Sequence, residues 1–185
     1  MKLRMITPPS TLPVDVALAK QHSRILGEQE DDLVALYLSA ATAELDGPTG
    51  VVGKCFMTQV WQMELVGWVG PLALRVEPVS SIEVRYVDAQ GSEQVLPSSG
   101  YVLDDDVSRS PRLHWRGSMP VLGNDPWPVR IVITAGHEQA DPDVQVAILL
   151  RAAQLYEHRE AQITGAIVAV NPAYDAIVGK IRRKL

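Results

Sequence analysis

The chain has 185 residues, 46% hydrophobic and 21% charged, enough apolar material for one core or for a core with an inserted module. A formal charge of −5 argues against a general nucleic-acid coat, and the lone Cys55 argues against an internal disulfide or a cysteine metal cluster. The lone cysteine points to synthesis in a reducing compartment; the start, Met1 to Pro9, lacks the apolar core of a signal peptide, and no stretch approaches the length of a membrane span.

Asp15 predicts the N-cap of a first helix that runs to about Leu26, with Leu18, His22 and Ile25 on one face and Gly27 as its stop. The acidic connector Gly27–Asp32 supplies first-turn acids to a second helix, from about Asp31 to Leu45, with Leu33, Leu36, Tyr37, Ala40 and Ala41 inward. Gly47-Pro48-Thr49-Gly50 ends it. From Thr58 to Thr134 the period changes to two. Trp61, Met63 and Leu65 alternate with Gln62 and Glu64; Leu72, Leu74 and Val76 with Ala73, Arg75 and Glu77; Ile82, Val84 and Tyr86 with Glu83, Arg85 and Val87. Asp88-Ala89-Gln90-Gly91 signals a hairpin, with Gln94–Leu96 returning from it. Tyr101–Leu103, Leu113–Trp115 and Val129–Ile133 complete about seven short strands. One solvated face per strand indicates antiparallel sheets.

A third, long helix follows over 141–160, with Asp141 as N-cap, Pro142 at the first position and Asp143 suited to the positive end of the dipole. Val144, Ala147, Ile148, Ala152 and Leu155 fall at helical spacing, while Val146, Leu149, Leu150 and Ala153 widen the apolar arc. So wide an arc suggests burial on two sides, by the chain's own core and by a neighbouring subunit. Ala166–Val170 has strand character, and Asn171-Pro172 breaks the chain before a short helix over 173–185. Its stripe of Tyr174, Ile177, Val178 and Ile181 has no evident internal partner, and Lys180, Arg182, Arg183 and Lys184 crowd its end. A helix of about 13 residues needs a surface to cover such a stripe. The expected fold is α+β: a helical core of two N-terminal helices and one long C-terminal helix, an inserted antiparallel β module, and a C-terminal arm. Residues 1–50 form the N-terminal helices, 51–136 the β module, 137–164 the long helix and 165–185 the arm.

No catalytic pattern emerges. His22, His114, His137 and His158 show no metal-ligand spacing, and no phosphate loop, dinucleotide fingerprint or nucleophile elbow is present. Asp104-Asp105-Asp106 lacks the spaced pattern of a calcium loop and reads as an acidic surface loop. Trp61, Trp68, Trp115 and Trp127 do not cluster with basic residues as a base-stacking platform would. No catalytic residue, cofactor or metal is expected.

Three segments resemble the bacteriophage head–tail connector, or adaptor, family, which also occurs in gene transfer agents. Pro13 to Ile25 followed by Asp31 to Ala41 is similar to the family's opening, keeping Ala19-Lys20, His22, Arg24-Ile25, Asp31-Asp32 and Thr49-Gly50. It departs at Leu18, where the family often has Glu, and at Ser23, where it often has Leu. Ile133–Gly136, Ala147–Leu150 and Leu155–Glu160 resemble the family's long-helix pattern, and Asn171–Ile177 with its basic end resembles the C-terminal arm.

The resemblance implies a virion structural protein and no reaction. It implies a ring matching a twelve-fold portal at the head–tail junction, which extends the DNA channel and offers a platform to a head-closure or tail neck protein. DNA would pass without sequence-specific binding, no membrane is involved, and the chain would be made in the bacterial cytoplasm. On this reading the apolar arcs at Leu33, Leu36, Tyr37, Val146, Leu149 and Leu150 supply the ring interface. The arm (Tyr174, Ile177, Val178, Ile181, Lys180, Arg182, Arg183 and Lys184) docks on the portal protein, and Asp104, Asp105 and Asp106 are candidates for the channel lining. The competing expectations are a β module on a helical stalk that binds a small molecule or carbohydrate, with aromatics such as Trp68 and Trp127 in a groove, and an enzyme whose site is assembled from scattered polar residues.

Overall fold

The computed structural model describes residues 1–106, 110–158 and 171–183, and the chain divides into two compact units. Met1–Ser10, Thr58–Glu138 and the chain end from Arg183 form a β unit, while Thr11–Met57 and Gln139–Arg182 form a helical unit. The fold is α+β, and every strand pairing among the described residues is antiparallel.

Period-two alternation builds the β unit. Its five-stranded sheet has the order β1 (Lys2–Thr7), β2 (Gln59–Leu65), β8 (Val129–Ala135), β4 (Val79–Val87) and β5 (Glu93–Val95). A three-stranded sheet has the order β3 (Leu72–Ala73), β7 (Arg112–Trp115) and β6 (Tyr101–Asp104). Strand β8 is the centre of the larger sheet: Met63 and Val84 both sit opposite Ile131, and all three are fully buried. The alternate positions carry ion pairs instead, Arg4 with Glu64 at 3.2 Å and Arg130 with Glu93 at 2.6 Å. The tight turn after β4 follows the residues: Asp88 Oδ1 accepts from the Gln90 and Ser92 amides, and Gly91 takes the left-handed φ of 82° that the turn requires. The Ser92 amide, followed by the Gln94 side chain, holds the Asp88 carboxyl below its ordinary value. Sequence reading misses β1. Lys2-Leu3-Arg4-Met5 does alternate, but the strand exists only by pairing with β2, some 60 residues away.

The helical unit contains α1 (Val16–Ser23), α2 (Asp31–Leu45), α3 (Pro142–Glu157) and α4 (Pro172–Ile181). Asp15 caps α1 as expected, its Oδ1 accepting from the Leu18 amide at 2.7 Å. The helix stops earlier than the sequence suggests, at Arg24, whose left-handed φ of 55° turns its amide back onto the last carbonyls. At the start of α3 the expected side-chain cap does not form. Asp141 contributes only its carbonyl, which accepts from Gln145 at 3.0 Å, and Pro142 removes one of the amides that would need a cap. The expected end of that helix at Glu160 and the apolar run 166–170 lie outside the described residues. Among the described residues no helix is long and apolar enough to cross a membrane.

The core stripes differ from those read off the sequence. In α2 the buried residues are Val34, Leu38, Ala41, Thr42 and Leu45, whereas Leu36 is 62% exposed and Ala40 also faces out. In α1 the buried residue is Ala19, with Leu18 and His22 exposed. Val34, Leu38 and Leu45 pack in one cluster with Val144, Ala147, Ile148 and Leu149 of α3. The loop after α2 seals it: Phe56 and Val52 are buried, and the Phe56 amide donates to Asp46 Oδ1 at 2.7 Å.

Gly50 makes that loop possible, because a Cβ there would lie 2.3 Å from the Asp46 carbonyl oxygen and 2.4 Å from that of Leu45. Backbone cannot yield as a flexible side chain does. Gly50→Ala is therefore expected to destabilise the chain by about 1–3 kcal/mol, the usual range for overpacking. Urea unfolding checks it, and an unshifted midpoint would refute the close approach.

Candidate assembly surfaces

The described residues do not assemble a catalytic centre from the sequence candidates. No group of three or more His, Cys, Asp or Glu stands where it could hold a metal ion. The nearest approach to a dyad, His114 Nε2 to Asp104 Oδ2, spans 3.9 Å on a half-exposed surface, too long for a hydrogen bond. Cys55 is buried and Phe56 beside it belongs to the helical core. Trp68 and Trp127 are engaged separately. Trp68 meets Trp115 edge to face at 5.1 Å and donates to the Pro120 carbonyl, while Lys2 Nζ lies 4.5 Å over the Trp127 ring. Both are occupied in holding loops of the β unit.

What the chain does present is surface, and its charge is unevenly divided. The β unit carries ten acidic residues and ten Lys or Arg, whereas the helical unit carries twelve and seven. The whole surplus of −5 therefore belongs to the helices. Asp104 ends β6 opposite Arg112, and Asp105 and Asp106 follow it on the exposed surface. The acidic run thus sits in the charge-balanced unit.

The six residues expected at a ring interface separate into two groups. Leu149 is only 7% exposed and belongs to the chain's own core, and Tyr37 packs against that core with its ring edge-on to Tyr156 at 6.3 Å. Leu149 is thereby a core residue, enclosed by its own unit, while Tyr37 is shared between the core and the surface. Leu36 and Val146, at 62% and 40% exposure, face outward, and Leu33 and Leu150 are half-buried. Both outward stripes lie on the sides of α2 and α3 opposite their buried stripes, as helical geometry requires.

The C-terminal stripe is also corrected. It does have an internal partner: Val178 is buried in the helical core, and Tyr174, Ile177 and Ile181 pack against it. Asn171 Oδ1 caps α4 by accepting from the Ala173 and Tyr174 amides at 3.1 and 3.3 Å. Burial, then the Glu44 carboxylate, raises the Tyr174 hydroxyl above its ordinary pKa. Among the basic residues, Lys180 pairs with Asp143 at 2.5 Å, Arg182 is exposed, and Arg183 donates to the Arg75 carbonyl at 3.0 Å. Lys184 lies outside the described residues.

One exposed residue has no place in the sequence reading as a contact. Leu26 follows the Arg24 turn at 91% exposure, and with Ala17, Lys20, Gln21, Arg24 and Ile25 of the α1 region and Asp31 of α2 it lines an open groove of about 740 Å³. Its periodicity assigned it to a helix end, so only the early stop at Arg24 reveals it.

No protein-family model and no curated protein matches the chain. Solved structures do. The chain is similar to a chain in the virion of a native gene transfer agent particle, with 28% identity and a TM-score of 0.79, over 100% of this chain and 97% of the other. It is similar, at the same identity and coverage, to a chain in the neck of an empty gene transfer agent particle computed with C6 symmetry, with a TM-score of 0.77. A third match, to the neck of the native particle computed with C12 symmetry, has a TM-score of 0.76. The resemblance read from three segments of the sequence thus extends to the whole fold.

Proposed function

We infer that this chain, similar along its whole length to chains of gene transfer agent necks, is a structural component of the neck at the head–tail junction of a tailed phage or gene transfer agent. The observation that carries this reading is the joint match in sequence and fold over 100% of the chain to those particles. Its role is mechanical. As a connector it would form a ring beneath the portal protein, continue the DNA channel, and present a platform to the next neck protein.

The surfaces suit such an assembly. A ring closes through heterologous contacts, in which two different patches of one subunit meet head to tail and rotation completes the circle. Outward Leu36 and Val146, with half-buried Leu33 and Leu150 on the same helices, supply unlike apolar patches. Asp104, Asp105 and Asp106 would suit a channel wall, because carboxylates repel phosphate and create none of the counterion-release attraction that basic residues do. On the arm, the apolar stripe is covered by the chain's own core, so exposed Lys180 and Arg182 are left to meet an acidic portal surface, aiding on-rate and register.

Native mass spectrometry and electron microscopy of the purified chain, alone and mixed with its portal, test this. A ring of many copies in either sample is expected. A monomer in both, stabilised by a small molecule or carbohydrate, would overturn the reading in favour of a ligand-binding module.

A further inference from the structure

We propose that the groove along α1 of one copy receives the outer edge of α2 from the next copy, through Leu36 in the apolar groove and Asp32 against Arg24. This rests on the ring reading and specifies the contact that closes the ring.

Three observations converge on it. The groove's lining includes apolar Ala17, Ile25 and Leu26 beside Lys20, which is paired with Asp31, and Leu26 is 91% exposed, so an apolar occupant would cover what water now meets. Arg24 is exposed at the groove's rim and makes no ion pair among the described residues; it also holds a left-handed backbone conformation that glycine or asparagine would adopt with less strain. The occupant is visible on the same chain. Asp32 and Leu36 stand one helical turn apart on the outer side of α2, Leu36 62% exposed and Asp32 exposed without an ion pair among the described residues.

Charge favours α2 over α3 as the helical partner. The other outward apolar stripe, Val146 on α3, has Asp143 one turn before it, already paired with Lys180. The α2 edge instead combines a leucine with an acid that has no ion pair among the described residues, complementary to Arg24, which also has none among them, and to the groove's apolar lining. The contact builds a ring when two copies make only one of the two possible groove-to-ridge pairings, leaving each copy's other groove and ridge for the next neighbour, whereas a pair that made both would stop at a dimer. Each closed ring repeats it at every interface, which multiplies a modest pairwise effect.

The test uses the full chain, with portal if the ring needs it. Leu26→Cys combined with Leu36→Cys should give, on mild oxidation, a ladder of covalently joined copies, whereas either substitution alone should not; Cys55, 1% exposed, stays out of reach. Arg24→Glu and Asp32→Arg should each lower ring yield about tenfold by placing like charges together, and the double reversal should restore it. Circular dichroism melts confirm that each variant is folded. Rings of normal yield from the single reversals, with no ladder from the double-cysteine chain, would overturn this contact and leave the connector reading standing. A Leu26→Cys dimer formed without Leu36→Cys would show groove meeting groove and also overturn it. If the unmodified chain forms no ring under any condition, both proposals fall.

Discussion

Replacing Leu38 by alanine is expected to lower the stability of the helical unit by about 3 kcal/mol, within the range measured for large-to-small changes in well-packed cores. Leu38 is fully buried at the middle of α2, in the same cluster as Ala41, Leu45, Val144 and Ile148. Truncation removes its transfer free energy and leaves a cavity that neighbours on two helices cannot readily fill. Urea unfolding followed by circular dichroism at the helical band is the measurement, because all four tryptophans lie in the β unit and their fluorescence does not report on these helices. Leu38→Met, which keeps the volume, should cost less than about 1.5 kcal/mol. Equal shifts for the two variants would mean that the stripe Val34-Leu38-Ala41-Leu45 is not the packed face. Leu36→Ala is the matching control: its side chain is 62% exposed in the single chain, so little loss is expected.

Ending the chain at residue 170 is expected to be nearly as damaging, at about 3–5 kcal/mol, since fully burying one aliphatic side chain contributes about 1.5–3 kcal/mol. The sequence alone suggests the opposite, that residues 165–185 form a removable arm. In the structure, α4 places Val178 at 8% exposure in the helical core and lays Tyr174, Ile177 and Ile181 against it. A ten-residue helix is marginal in water, so its capping by Asn171 and its packing on the core must be gained together. Truncation should lower the urea midpoint and expose apolar surface that binds a hydrophobic dye. Val178→Asp in the full chain should reproduce much of the loss by burying an unpaired charge. A truncated chain that melts with the full one would show that α4 does not cover the core. Loss of head attachment by a truncated chain would then report on folding as much as on the arm, so Arg182→Glu, at an exposed position, is the cleaner probe of portal contact.

Local chemistry made much of this protein legible in its residues. Asp15 marks a helix start because its side chain satisfies a free amide three residues on, whereas Asn171, read only as a break in the chain, caps α4 in the same way. Alternation at Gln59–Leu65 and Val129–Ala135 marks strands with one wet face, and Asp88 to Gly91 marks a tight turn. Antiparallel pairing and the family resemblance follow from signals of that kind.

Other features depend on what a segment meets. Leu33-Leu36-Ala40 and Val34-Leu38-Ala41-Leu45 both fit helical spacing in a helix with apolar residues on nearly every side, so periodicity cannot say which face is dry. Contact with α3 decides it, and the same contact turns Leu36 outward and Leu149 inward. Strand β1 exists because β2 supplies its hydrogen bonds, and the C-terminal stripe finds its cover only when α3 is folded beneath it. The outward surfaces are what remains after the core has chosen. Hydrogen bonds and steric preferences within a few residues set caps, turns and strand faces, whereas burial is non-directional and is settled by whichever apolar surface the rest of the fold brings near.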